Sequence, residues 1–101
     1  MGIVFSVENP QKYPDLPFAE FTNVNTYKVL ESLNVEFKND GKIKHMELDD
    51  LVKKIDNKIL EESLKPDPDQ KLISRYIKLA DIARFCIELD SDLIWRHDGI
   101  F

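Results

Sequence analysis

Four kinds of residue in this 101-residue chain carry side chains that do chemistry elsewhere, and their spacing decides what each is for. The single cysteine, Cys86 in "ARFCIEL", would serve as a nucleophile only if exposed, lowered in pKa and placed beside a base. Its neighbours Phe85 and Ile87 supply no activating charge, and it falls on an apolar helical arc, so packing is its expected role. The histidines, His45 and His97, are far apart. His45 stands four residues before Asp49 and His97 directly precedes Asp98, but one cysteine and two separated histidines do not make a tetrahedral zinc set. The Asp-x-Asp pairs in "KPDPDQ" and "ELDSD" lack the glycine and the final glutamate of a calcium loop, and read as loop residues and helix caps. With three glycines in all, and neither a phosphate-cradling loop nor Gly-x-Ser-x-Gly, backbone that could close on a ligand is scarce. The 19 acidic residues allow any number of carboxylate pairs, but a pair does hydrolytic work only where a pocket separates the two pKa values. No catalytic residue, metal or cofactor is expected.

What remains is a row of cations at helical spacing, Lys71, Arg75 and Lys78, with Phe85 in the same angular range further along. A basic row running into an aromatic suits an acidic protein partner, or a track of nucleic-acid phosphates. Its ordinary reading is a solvated face with Phe85 covered by the chain termini. The "LIW" ending at Trp95 belongs to the core or presents a strand edge to a partner. Tyr76, Cys86 and Trp95 are the residues that would line a pocket between the helices and a terminal sheet.

Composition narrows the partner. A net charge of −5 and a pI near 5.0 argue against general affinity for nucleic acid or anionic membrane. At 43% apolar and 33% charged residues, the chain falls among globular and not disordered sequences. One cysteine excludes an internal disulfide. No apolar run approaches the roughly 18 residues that cross a bilayer, and "MGIVFSVENP" lacks the flanks of a secretory signal. "MGIVFS" fits a myristoylation pattern through Gly2 and Ser6 alone, without the basic segment that stable anchoring needs. Ile3–Val7 reads better as a strand. A cytoplasmic protein without a membrane partner is expected; a homo-oligomer is compatible with the sequence.

The elements that position these residues follow from periodicity. "IVFSV" is β-branched and aromatic, a strand buried on at least one face. Pro10, Pro14 and Pro17 then exclude helix, and "FAEF" is a candidate second strand. In "NVNTYKVLESLN", about 100° of turn per residue puts Tyr27, Val29, Leu30 and Leu33 on one side of a helix. Thr22, Asn23 or Asn25 can cap its start, and Asn34 can end it in the left-handed conformation. Across residues 35–44, an "NDG" loop with Gly41 at positive φ would pair Phe37 with Ile43 in a hairpin; an ordered loop is the alternative. Met46, Leu48, Leu51, Val52, Ile55 and Ile59 make the apolar stripe of a second helix, supported by Asp49–Lys53 and Asp50–Lys54 pairs. Pro66 and Pro68 end it, and Asp67 or Asp69 caps a third. The third helix buries Leu72, Tyr76, Leu79, Ala80, Ala83, Cys86 and Ile87. Ile82, Phe85 and Leu89 replace the cations along its second half, so something covers that end. The expected cover is a sheet of "IVFSV" and "DLIWR".

"FTNVNTYKVLESLN", a glycine-containing loop, "ELDDLVKKI", "RYIKLADIARFCIEL" and the terminal "LIW" together resemble, over residues 18 to 95, a scattered group of small bacterial proteins to which no reaction is attached. Those proteins tend to carry Gly where this chain has Asn34. The resemblance implies a bacterial cytosolic protein and supplies no site residues. Residues 1–101 are therefore read as one α+β domain: three helices and a small antiparallel sheet of N- and C-terminal strands. The expected function is non-catalytic binding of another protein, of immunity, inhibitor or adaptor type, with Lys71, Arg75, Lys78 and Phe85 as candidate surface. The alternative is a small enzyme or ligand binder with its pocket between helices and sheet.

Overall fold

The computed structural model describes residues 2–8, 12, 15, 18–36 and 40–97. The fold is α+β, with strands β1 (Gly2–Val7) and β2 (Ala19–Thr22), helix α1 (Asn23–Ser32), strand β3 (Gly41–Ile43), a 3-10 turn (His45–Glu47), helices α2 (Leu48–Ser63) and α3 (Gln70–Glu88), and strand β4 (Leu93–His97). The strands form one antiparallel sheet in the order β2-β1-β4-β3. The terminal strands β1 and β4 lie at its centre, as their apolar content requires.

Register sorts the side chains. Ile3, Phe5 and Val7 of β1 stand opposite His97, Trp95 and Leu93 of β4, and Ile3 and Phe5 opposite Phe21 and Ala19 of β2. Successive strand residues point to opposite faces, so these residues share the face that joins the helices in one hydrophobic cluster. Phe5 anchors it, with ring centroids 5.4 Å from Phe21 and 5.8 Å from Trp95. Tilted pairs of this kind add about 0.5–1.5 kcal/mol beyond area burial.

Helix α1 starts where Thr22 accepts a hydrogen bond from the Asn25 N–H. It buries Thr26, Val29, Leu30 and Leu33, a clean i, i+3, i+4, i+7 stripe. Tyr27, expected on that face, is 50% exposed, and Thr26 takes its place. A buried threonine fills the core position that a count of apolar types alone passes over. At the far end Asn34 has φ 59°, the Asn34 N–H donates to Glu31 O and the Val35 N–H to Leu30 O. That is the Schellman termination, so the asparagine does the turning expected of it.

The hairpin expected at 35–44 is not formed as drawn. Phe37 lies outside the described residues, and Gly41–Ile43 pairs with β4, placing Gly41 opposite Trp95. Nor does Gly41 have positive φ. A Cβ there would lie 2.3 Å from Trp95 Cζ2, so the glycine is needed for the room it leaves under the indole.

Helix α2 buries Leu48, Leu51 and Ile55, while Met46 is 74% exposed in the 3-10 turn ahead of it. The Asp49–Lys53 and Asp50–Lys54 pairs are not formed among the described residues; α2 carries Lys58–Glu61, and Lys65 just beyond it pairs with Glu62. Exposed pairs gain too little to hold two long side chains in one geometry. Glu62 also accepts from the Asp69 N–H, clasping the α2–α3 connection just where Asp69 caps α3 through the Leu72 N–H.

Helix α3 crosses the sheet and buries Ile73, Tyr76, Leu79, Ala80, Ile82, Ala83 and Cys86. The sheet covers Ile82, at 1% exposure, and leaves Phe85 half-buried. Among the described residues no helix is long and apolar enough to cross a membrane.

Candidate functional site

Lys71, Arg75 and Lys78 line one groove of about 410 Å³ with Gln70 and Ser74 of α3, Glu20, Phe21 and Thr22 of β2, and Asn25 of α1. Each part has a local cause. The 3.6-residue repeat aligns the cations on α3, and Leu79 and Ala80 buried on the opposite side turn them outward. Strand β2 is an edge of the sheet, with β1 its one strand neighbour among the described residues. Its chain passes straight into α1, so the first turn of that helix closes one end of the groove.

The electrostatics are one-sided. Among the described residues none of the three cations has an ion-pair partner, whereas Arg84 on the same helix is held by Asp56 and Asp81. Glu20 is the one carboxylate lining the groove. It stands opposite Val4, alternating with inward Ala19 and Phe21, so its side chain leaves on the face away from the helices. The first turns of α1 and α3 both contribute, and neither contains an acidic residue. The start of α1, capped by neutral Thr22, keeps the partial positive charge of its free N–H groups, whereas at the start of α3 the capping Asp69 carboxylate offsets it. Such a groove can bind anionic groups, and Arg75 can hold a carboxylate through two parallel N–H bonds.

Phe85 is not part of it. It lines a separate hollow with Asp81, Arg84 and Glu88, all on α3. The structure therefore brings together three of the four candidate surface residues. Sequence reasoning missed Ser74 and Gln70, although Ser74 was legible, being three residues after Lys71 and four before Lys78. The contributions of β2 and Asn25 were not legible, because they depend on which edge of the sheet α3 overhangs.

The remaining candidates have structural work. Cys86 is fully buried, its thiol donating to Asp92 O at 3.5 Å; burial, then the nearby Asp92 charge, pushes it up to about 11. A thiol held there is not a nucleophile at neutral pH. Tyr76 is 2% exposed and bonded to Ser32. Trp95 packs in the core, with its edge on a larger groove of about 820 Å³ between α2 and β3 that is lined by Glu36, Asp40, Glu47 and Asp50 as well as Lys42 and Lys54.

His45 does not pair with Asp49. Its backbone N–H donates to Asp92 Oδ1 at 2.8 Å, its Nδ1 lies 3.2 Å from the same oxygen, and its Nε2 lies 3.2 Å from Asp90 Oδ1. Lys42 stands 3.8 Å from Asp92 Oδ2. The His45 backbone N–H, then its ring and the Lys42 charge, hold the Asp92 carboxyl below the ordinary aspartate range against the opposing effect of burial. This cluster fastens the 3-10 turn to the α3–β4 connection, where Asp90 occupies a left-handed turn at φ 55°. The His97 N–H donates to Asp40; Asp98 lies outside the described residues. No group of three or more His, Cys, Asp or Glu suited to a metal ion occurs among the described residues.

The chain matches no family model, no curated protein and no solved structure. The functional reading therefore rests on the geometry of the groove.

Proposed function

We propose that this protein acts by binding another protein through the groove between α3 and the β2 edge, in the manner of an immunity, inhibitor or adaptor protein. One observation carries the reading: among the described residues, three cations without ion-pair partners share a groove with a strand edge that has no second strand neighbour, in a chain whose net charge is −5. Lysine and arginine left clear of carboxylates in an acidic protein favour an acidic partner, by steering it and fixing its register. Nucleic acid is disfavoured by the net charge of −5, and among the described residues the groove has no stacking platform of its own: Phe21 is buried, while Phe85 and the exposed Phe18 and Tyr27 do not line it.

The alternative, a small-ligand binder or enzyme, draws its support from the groove between α2 and β3. That groove mixes four carboxylates with two lysines; of Tyr76, Cys86 and Trp95, the residues expected to line a pocket, Trp95 borders it, while Tyr76 and Cys86 are committed to the core.

The test compares immobilised wild-type protein with the variant K71E/R75E/K78E as bait in extract from the source cells. The wild type retains a partner that the variant loses, with helical content unchanged by circular dichroism. Equal retention by both rules out this groove as the binding surface.

A further inference from the structure

Accepting that groove as the binding surface, we infer that its occupant is an extended acidic segment of the partner, added as a fifth strand on β2 with its carboxylates alternating toward α3. Among the described residues no strand pairs with β2 on the side away from β1, and main-chain pairing there would supply affinity while alternate side chains supply specificity. The sheet face toward which the alternate side chains of a new strand would point is the one bearing Ala19 and Phe21, where α3 lies. There they meet Lys71, Arg75 and Lys78. One spacing matches: residues two apart on a strand are separated by roughly 6.8 Å, against a helical rise of about 6 Å from Lys71 to Arg75, whereas Lys78, about 10.5 Å from Lys71, falls between successive strand positions and reaches a carboxylate through its long side chain.

A second copy of the chain docking by the same edge is disfavoured, because a two-fold contact would set each cationic row against its own kind. Ser74 between the cations and Gln70 just before them add neutral donors that suit a carboxylate equally.

The test uses the intact protein and three synthetic peptides. The first alternates glutamate with valine or threonine over seven residues. The second has the same composition with its glutamates clustered, and the third is the first with alternate peptide nitrogens methylated so that they cannot donate to β2. The alternating peptide is expected to bind, to weaken about tenfold or more when salt rises from about 50 to about 500 mM, and to slow amide hydrogen exchange in Ala19–Thr22. Methylation should abolish that protection. If all three peptides bind alike at the groove without protecting β2, strand addition is overturned while the groove remains the binding surface. If none perturbs β2 or α3 at about 1 mM, the acidic-strand occupant is overturned, and the extract experiment alone then judges the groove. If β2 amides become protected as protein concentration rises without peptide, the occupant is a second copy and the inference is overturned.

Discussion

The hydroxyl of Tyr76 on α3 donates to Ser32 Oγ on α1 at 2.6 Å. The direction follows from proton count: the one serine proton goes to Val29 O at 2.8 Å, so the phenol must be the donor. This bond ties α1 to the helix that carries the cationic row. Because the two losses differ, so do the expected variants. Ser32→Ala strands a phenolic hydroxyl that is buried, whereas Tyr76→Phe leaves Ser32 bonded to Val29. We expect Ser32→Ala to cost about 1–2 kcal/mol and Tyr76→Phe about 1 kcal/mol or less. Urea denaturation checks the order, and a larger loss for Tyr76→Phe would reverse the assigned direction.

Gly41 and Trp95 form the second relationship with a measurable consequence. Any side chain at 41 meets the indole, since an ideal Cβ lies 2.3 Å from Cζ2 and 2.6 Å from Cε2. Both atoms belong to a buried ring that cannot swing aside, so Gly41→Ala is expected to destabilise by about 1–3 kcal/mol through overpacking. Trp95 is the single tryptophan, and its fluorescence follows β3 docking directly. Unchanged stability and emission in Gly41→Ala would mean that β3 is not seated under the ring.

Alongside Glu62, whose carboxyl is held low first by Lys65 and then by the Asp69 N–H, acid lability should draw on Asp92. Its folded pKa is lowered, first by the His45 backbone N–H, so its contribution is complete above the ordinary aspartate value and is lost as pH falls through the lower folded value. Wild type should therefore lose stability below about pH 4, and Asp92→Asn should flatten that limb. At neutral pH the same variant should cost about 1–2 kcal/mol, since the carboxylate is mostly buried and accepts from a backbone N–H. Denaturant midpoints between about pH 7 and pH 3 check both parts. An acid limb as steep in the variant as in the wild type assigns the effect to other carboxylates.

Much of the fold is legible in the sequence. Local signals read best where one residue does one job: Asn34 at a left-handed turn and Pro66 and Pro68 as a break, while the caps Thr22 and Asp69 are each one of the candidates the sequence offers. The apolar drift along α3 announces cover for its second half, which Ile82 receives fully and Phe85 and Leu89 only in part. What misled was chemistry decided at long range. "NDG" is a hairpin signal, yet Gly41 answers to Trp95, 54 positions away by numbering. His45 looks toward Asp49 along a helix but meets Asp90 and Asp92 across the fold. At the candidate site, the cationic row was legible from helical spacing, but Phe85 was wrongly joined to it, because angular range along a helix says nothing of distance from the sheet edge.

The most direct test of groove-mediated binding installs a photoreactive benzophenone amino acid at position 74, in the cationic row, and separately at position 53, on the exposed side of α2. Irradiated in the cells that make the protein, position 74 should yield a discrete heavier adduct with a second polypeptide, and position 53 should not. Adducts of equal yield from both positions, or from position 53 alone, would contradict a partner seated between α3 and β2.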